Sequence, residues 1–256
     1  MFTLKKLLLG EKTRLFMMVV IFIVFIVFTT RIILQEPKVL NQILYFVIMG
    51  FFAFFFVLSE VLRFMYQKGI EQLVIKCDPE SALTLMNKLR KIDIIKGYQQ
   101  SMLVFMSLYY RDLGMYDELN TLINDAIFER SASLKLVKKV NQFYLSLQKD
   151  DLESATKLNK EINDIYLVKT KKRYSARPVY SLNQLNADFF LAKNNLSKAH
   201  DALRDINEQS LNPREKTYYY ISYAKYYQLK KQNKEELMVK QARELGQHLA
   251  HVKNYH

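Results

Sequence analysis

Glycine, proline and cysteine are all scarce in this chain: six, four and one among 256 residues. Each scarcity removes a class of function. With so few glycines there is no G-x-x-x-x-G-K-S/T, G-x-G-x-x-G or G-x-S-x-G, so no loop cradles a phosphate and no nucleophile elbow is present. A lone cysteine, Cys77, forbids an intramolecular disulfide. Asp78 and Glu80 beside it work against a reactive thiolate. Histidine is nearly as rare, at His200, His248, His251 and His256. Glu244, His248 and His251 share one face of a predicted last helix, but no H-E-x-x-H and no cysteine ligand joins them, and a surface helix is the expectation. No cofactor and no metal is expected. Acidic pairs such as Asp117-Glu118 and Glu235-Glu236 stand where helix N-termini favour negative charge, which accounts for them without catalysis. No convergent acid–base set remains, and the chain is not read as an enzyme.

What the chain has in abundance is uninterrupted apolar sequence near its start. Leu15 to Thr30 is one run, and Val39 to Leu62 is a second. A helix rises about 1.5 Å per residue, so about 20 apolar residues cross a hydrocarbon layer about 30 Å thick. The second run suffices alone. The first reaches that length through Ile32, Ile33 and Leu34 if Arg31 extends to the headgroups. Neither run has a polar face, so a two-span hairpin is predicted rather than a buried core pair. Glu36-Pro37 marks the turn, and Gly50 offers a place for close helix approach. No ionisable residue lies at mid-depth, which excludes the usual proton or ion relay. Phe28-Thr29-Thr30-Arg31 lacks the small-x-small pattern of a signal-peptide cleavage site. Lys5, Lys6, Lys12 and Arg14 precede the first run, against Arg31 and Lys38 between the runs, so both termini are expected on the cytoplasmic side.

The overall charge is +13, from 38 Lys and Arg against 25 Asp and Glu. Only six basic and three acidic residues precede Arg63, so the remainder keeps most of the excess. That excess is dispersed and suits an anionic membrane surface; no nucleic-acid motif accompanies it.

From Arg63 onward the pattern is helix after helix. Asp78-Pro79-Glu80 and Asn212-Pro213 with Glu215 are N-terminal caps. The stretch Tyr109-Tyr110-Arg111-Asp112-Leu113-Gly114-Met115-Tyr116-Asp117-Glu118-Leu119 resembles the turn of a tetratricopeptide repeat. In that family an aromatic helix end is followed by a glycine, an aromatic residue packed between the helices, and acids that open the second helix. Fainter echoes run from Tyr144 to Ala155, Phe190 to Ala199 and Tyr227 to Leu237. The aligned positions Ala82, Leu119, Ala155, Ala199 and Leu237 are 37, 36, 44 and 38 residues apart, longer than the family's period of about 34. Only Gly114 supplies the turn glycine; Asp150, Asn194 and Gln232 stand in elsewhere, and asparagine and aspartate tolerate the left-handed conformation that glycine adopts there.

The expected chain is all-α: charge and hydropathy give a basic segment at 1–14, a two-helix transmembrane hairpin at 15–62 and a juxtamembrane helix at 63–76, and the resemblance implies a TPR-like α-solenoid of helical pairs at 77–256. It implies repeat-turn residues Gly114, Tyr116, Asp150, Ala155, Asn194 and Ala199, and a groove lined by the first helix of each pair. On one predicted helix Tyr219, Tyr223 and Tyr226 share a face at core spacing, leaving Tyr218, Tyr220 and Tyr227 as groove candidates. Lys169, Lys171, Lys172, Arg173 and Arg177 form a basic segment, read either as a solvated loop or as a contact to anionic lipid or an acidic partner. The function implied is a membrane-anchored adaptor that binds a protein or peptide at the cytoplasmic face of a bacterial membrane. The alternative is a regulatory sensor whose helical array binds a peptide or small ligand.

Overall fold

In the computed structural model, residues 4–170 and 180–255 are described, apart from the side chains of 4–12 and 168–170. They are almost entirely helical, with no strand among them. The chain divides into two compact units, Met1–Met65 and Tyr66–His256.

The first unit is a helical hairpin. Helix α1 spans Leu4–Gln35 and α2 begins at Val39, a tighter connection than the apolar runs alone suggest. Glu36 makes the turn possible. Its carboxylate accepts from the Asn41 amide at 2.8 Å and its backbone carbonyl accepts from the Gln42 amide at 2.7 Å. The two helices meet through Phe22 and Phe56, whose rings stack at 4.7 Å. At the other end Arg14 donates to Glu60 through both terminal nitrogens, at 3.1 and 2.7 Å. From Arg14 to Glu36 the helix runs about 33 Å at 1.5 Å per residue, close to the thickness of a hydrocarbon layer.

Pairing covers little of the apolar surface. Val27 and Phe28 remain 64% exposed and Phe46 62%. Both helices are long and apolar enough to cross a membrane. The hydroxyls within the runs are satisfied locally, Thr29 donating to the Phe25 carbonyl at 2.7 Å and Ser59 to that of Phe56 at 2.8 Å. Gly50 does not mediate helix approach: no atom lies within 4 Å of where its Cβ would stand.

Helix α2 continues unbroken to Val74, so residues 66–74 belong to the second unit without a stop at Gly69. Gly69 serves packing instead. A Cβ there would come within 2.6 Å of the Met86 Cε on α3 (Pro79–Ile92). Asp78 caps α3 by accepting from the Ser81 N–H, with Pro79 in the first turn.

Four helical hairpins follow: α4 (Gln99–Leu113) with α5 (Tyr116–Ile123), α6 (Ala132–Gln148) with α7 (Leu152–Thr170), α8 (Leu182–Ala192) with α9 (Leu196–Arg204), and α10 (Pro213–Leu229) with α11 (Glu235–Gly246). All four turn by one device. Gly114, Asp150, Asn194 and Lys231 have φ of 70°, 53°, 53° and 54°. The following N–H returns to a carbonyl five residues back: Met115 to Tyr110, Asp151 to Ser146, Asn195 to Phe190 and Gln232 to Tyr227, all at 2.8 to 3.0 Å. This is the paired hydrogen-bond closure that a left-handed residue allows at a helix end. In the last hairpin the left-handed residue is Lys231, one place before Gln232.

Consecutive helices pack on each other, and Leu119, Ala155 and Ala199 are fully buried in those contacts. Leu237 is not; it is 53% exposed, and Val239 and Ala242 take its place. The cause is turn length. Three residues separate Lys231 from the start of α11, against one in the other hairpins, which shifts the inward face. An asparagine cluster stitches α7 to α8, the Asn186 Oδ1 accepting from Asn159 at 3.0 Å and Asn163 at 3.1 Å. The array ends with α12 (Ala250–Lys253), which packs on α4, a Gly114 Cβ standing 3.1 Å from that of Ala250. The last helix therefore meets the first hairpin.

Candidate functional site

The first helices of the four hairpins share an inner face. Tyr144, Asp188 and Lys225 each lie six residues before the left-handed residue of their hairpin; Arg111, Leu147, Leu191 and Gln228 lie three before. Equal offsets from equal turns point these side chains the same way, and all seven line one cavity of about 370 Å³. Tyr116 and Asp150 border it from the turns, Tyr218 from α10, and His251 from α12.

Beneath this cavity lies a buried polar cluster. Asp112 is wholly buried and accepts from Arg214 Nε at 2.6 Å and Nη2 at 2.7 Å. The Tyr218 hydroxyl donates to the same carboxylate at 2.7 Å. The pair ties α10 to the end of α4 across 102 residues of sequence. Burial works against the Arg214 charge, but the Asp112 carboxylate together with Tyr218 and Tyr180 holds its pKa above the ordinary value, and burial with the nearby Asp112 charge raises that of Tyr218.

Arg111, next to Asp112, is differently placed. Its side chain is buried among rings, with Cζ 4.4 Å from the Tyr144 centroid, 4.9 Å from Tyr218 and 5.1 Å from Tyr180. Its Nε and Nη1 find no acceptor among the described residues. Three aromatic faces offset part of the desolvation of a buried cation, each contributing about 1–2 kcal/mol, but they accept no conventional hydrogen bond.

The other carboxylate in the cavity, Asp188, is fully engaged. It accepts from Ser222 at 2.6 Å, Gln184 at 3.0 Å and the Tyr144 hydroxyl at 3.2 Å. Burial holds its pKa above the ordinary aspartate value despite these donors. His251 stacks on Tyr218 with centroids 3.7 Å apart, and burial pushes its pKa down to about 3. Its tautomer follows from Thr217. That hydroxyl donates to the Arg214 carbonyl at 2.7 Å, so it accepts from His251 Nε2 at 3.2 Å. Nδ1 is then a bare acceptor, buried and unmatched among the described residues.

The sequence candidates divide. Tyr116, Asp150 and Tyr218 line the cavity, whereas Gly114, Asn194, Ala155 and Ala199 serve turns and helix packing. Tyr220 and Tyr227 are not groove residues. Tyr220 is buried in the core shared with α9 and α11, its hydroxyl bonded to Glu208, and Tyr227 packs against the same core. Both lie on the side of α10 turned away from the cavity. The basic segment of Lys169, Lys171, Lys172, Arg173 and Arg177 lies outside the residues whose side chains are described. Glu244 and His251 do not share a helix, because α11 ends at Gly246 and α12 starts at Ala250. No group of three metal-ligating side chains occurs among the described residues. Arg111, Tyr144, Asp188, Lys225 and His251 went unrecognised as site residues in the sequence. Regular offsets from the turn residues, six for Tyr144, Asp188 and Lys225 and three for Arg111, were the available signal for all but His251.

No protein-family model matches the chain, and neither does any curated protein or solved structure.

Proposed function

We propose that this chain is a membrane-anchored adaptor. The α1–α2 hairpin crosses a bacterial cytoplasmic membrane with both termini inside, as the excess of Lys and Arg ahead of the first apolar run, at the start of α1, favours. The rest is a TPR-like solenoid of helical pairs, and its concave face receives a segment of a partner protein. The carrying observation is the cavity itself: four helices contribute to it from equivalent positions, which is how repeat arrays build a continuous binding surface. Anchoring confines the domain to the membrane surface, so modest affinity for a membrane partner suffices.

A second reading has its own support. The cavity volume of about 370 Å³ falls at the small-ligand end of binding pockets, and α12 packs on α4 near it. This favours a sensor that takes a small ligand in the same place.

Purification of the intact chain from its native membrane in mild detergent separates the two. The adaptor predicts a stoichiometric partner that co-elutes with the natural chain and is lost with Ala192→Trp, which fills the cavity from an exposed lining position. A chain that elutes alone from solubilised membranes overturns the adaptor. Topology is tested by single cysteines at Lys38 and Lys231: labelling from outside intact cells should reach the first only.

A further inference from the structure

Two residues that line the cavity carry unmatched buried groups of opposite kind. Arg111 offers N–H donors on a buried cation, and no acceptor among the described residues meets its Nε or Nη1. Arg111 is 7% exposed and borders the cavity. His251 offers the reverse, a buried Nδ1 lone pair with no donor among the described residues. Both pack on the Tyr218 ring, so they belong to one locality. A water-filled surface would satisfy either group cheaply; a buried donor or acceptor left unmade is costly.

Neither carboxylate of the cluster serves Arg111. Asp112 is held by Arg214 and Tyr218, and Asp188 by Ser222, Gln184 and Tyr144. The surrounding wall is apolar at Leu191, Ile221 and Leu229. The complementary ligand carries an oxyanion for the guanidinium, a neighbouring N–H for the imidazole, and an apolar side chain for the wall.

We infer that the cavity binds an acylamino acid carboxylate, the group R–CO–NH–CHR′–COO⁻ with apolar R′, through Arg111 and His251. That group has two sources: the C-terminus of a peptide chain and a free N-acyl amino acid. This inference rests on the reading of the cavity as the binding site of the domain. Arginine is suited to the carboxylate because its planar N–H groups match the oxygen positions. The neutral imidazole, held in one tautomer by Thr217, accepts the amide N–H.

The test uses the full chain in mild detergent and four probes. N-acetyl-leucine and N-acetyl-leucinamide share shape and differ in charge; acetyl-tetraalanyl-leucine as the free acid and as the amide adds upstream chain. Calorimetric titration should show each acid binding at least tenfold more tightly than its amide. A peptide acid that exceeds N-acetyl-leucine tenfold assigns the source to a chain terminus, and the converse assigns it to the free acid. Arg111→Gln should abolish the difference between acid and amide. Because that variant alters a buried group, its melting temperature is measured alongside, and the acid–amide comparison on the natural chain stands without it. Equal binding of acid and amide, or no binding of either acid up to about 10 mM, the weak limit of measurable affinity, overturns the inference. A co-eluting partner with no acid binding would retain the adaptor and reject this site chemistry. Acid binding with no partner would do the opposite.

Discussion

Replacing Asp112 by alanine tests how the helical array is closed. The carboxylate is fully buried, holds Arg214 through two bonds of 2.6 and 2.7 Å, and accepts the Tyr218 hydroxyl at 2.7 Å. Its removal leaves a guanidinium that is 5% exposed without a counter-charge. Breaking one side of a buried pair typically costs about 3–5 kcal/mol, and the stranded hydroxyl adds about 1 kcal/mol or more. The expected loss is therefore about 4–6 kcal/mol, a large fraction of a domain's stability. The double replacement Asp112→Leu with Arg214→Leu removes both charges and fills their space, and should fall within about 2 kcal/mol of the natural chain. Urea titration of the full chain in mild detergent, followed by far-ultraviolet circular dichroism, supplies both values. The pair joins hairpins 102 residues apart, so the natural chain should lose its second unit in one transition. Asp112→Ala should split that transition, since helical arrays without long-range ties unfold from their ends. A cost below about 1 kcal/mol, the range of solvent-exposed ion pairs, would refute the buried closure.

Arg111→Met, one residue away, should be neutral or stabilising by about 1 kcal/mol in the same titration, because it removes a buried cation that has no anionic partner among the described residues; a loss comparable to Asp112→Ala would show that Arg111 is structural. Lys231→Gly should stabilise by about 1 kcal/mol, since φ is 54° there and lysine has no means of easing the left-handed conformation. Gly114→Ala should cost about 1–2 kcal/mol, having both the positive φ and Ala250 at 3.1 Å to contend with; equal melting curves for all three chains would refute the turn geometry. His251 has a folded pKa depressed to about 3, so the unfolded chain binds the extra proton between about pH 6.5 and 3. Its contribution is fully present above pH 6.5 and lost on acidification, at up to about 1.4 kcal/mol per pH unit; His251→Asn should lose less stability than the natural chain between pH 6.5 and 4.5. Cys77 is buried with its thiol pushed up to about 11, burial being the main cause, and should resist maleimide at pH 7.5 until urea unfolds the chain.

The features legible in the sequence are those that local physics fixes. The two apolar runs, the caps at Asp78 and Asn212, and the left-handed residues Gly114, Asp150 and Asn194 each depend on a few neighbouring residues. Lys231 escaped because lysine carries no sign of a positive φ, and the longer turn that follows it displaced Leu237 from the interface. Tyr220 and Tyr227 went astray because α10 is rich in tyrosine on every side, so periodicity alone could not choose the inner face. The Asp112–Arg214 pair was out of reach for another reason: no local pattern links residues 102 apart. Arg111 looked like an ordinary charge in a helix end, and only the rings of Tyr144, Tyr180 and Tyr218, drawn from separate segments, make it buried.

The adaptor stands or falls on what touches the cavity in intact cells. A photo-crosslinking amino acid at Tyr116, which lines the cavity, should capture one discrete protein adduct on irradiation of intact cells, while the same group at the exposed Lys160 of α7 should not. The same adduct from both positions, or none from Tyr116, would contradict it.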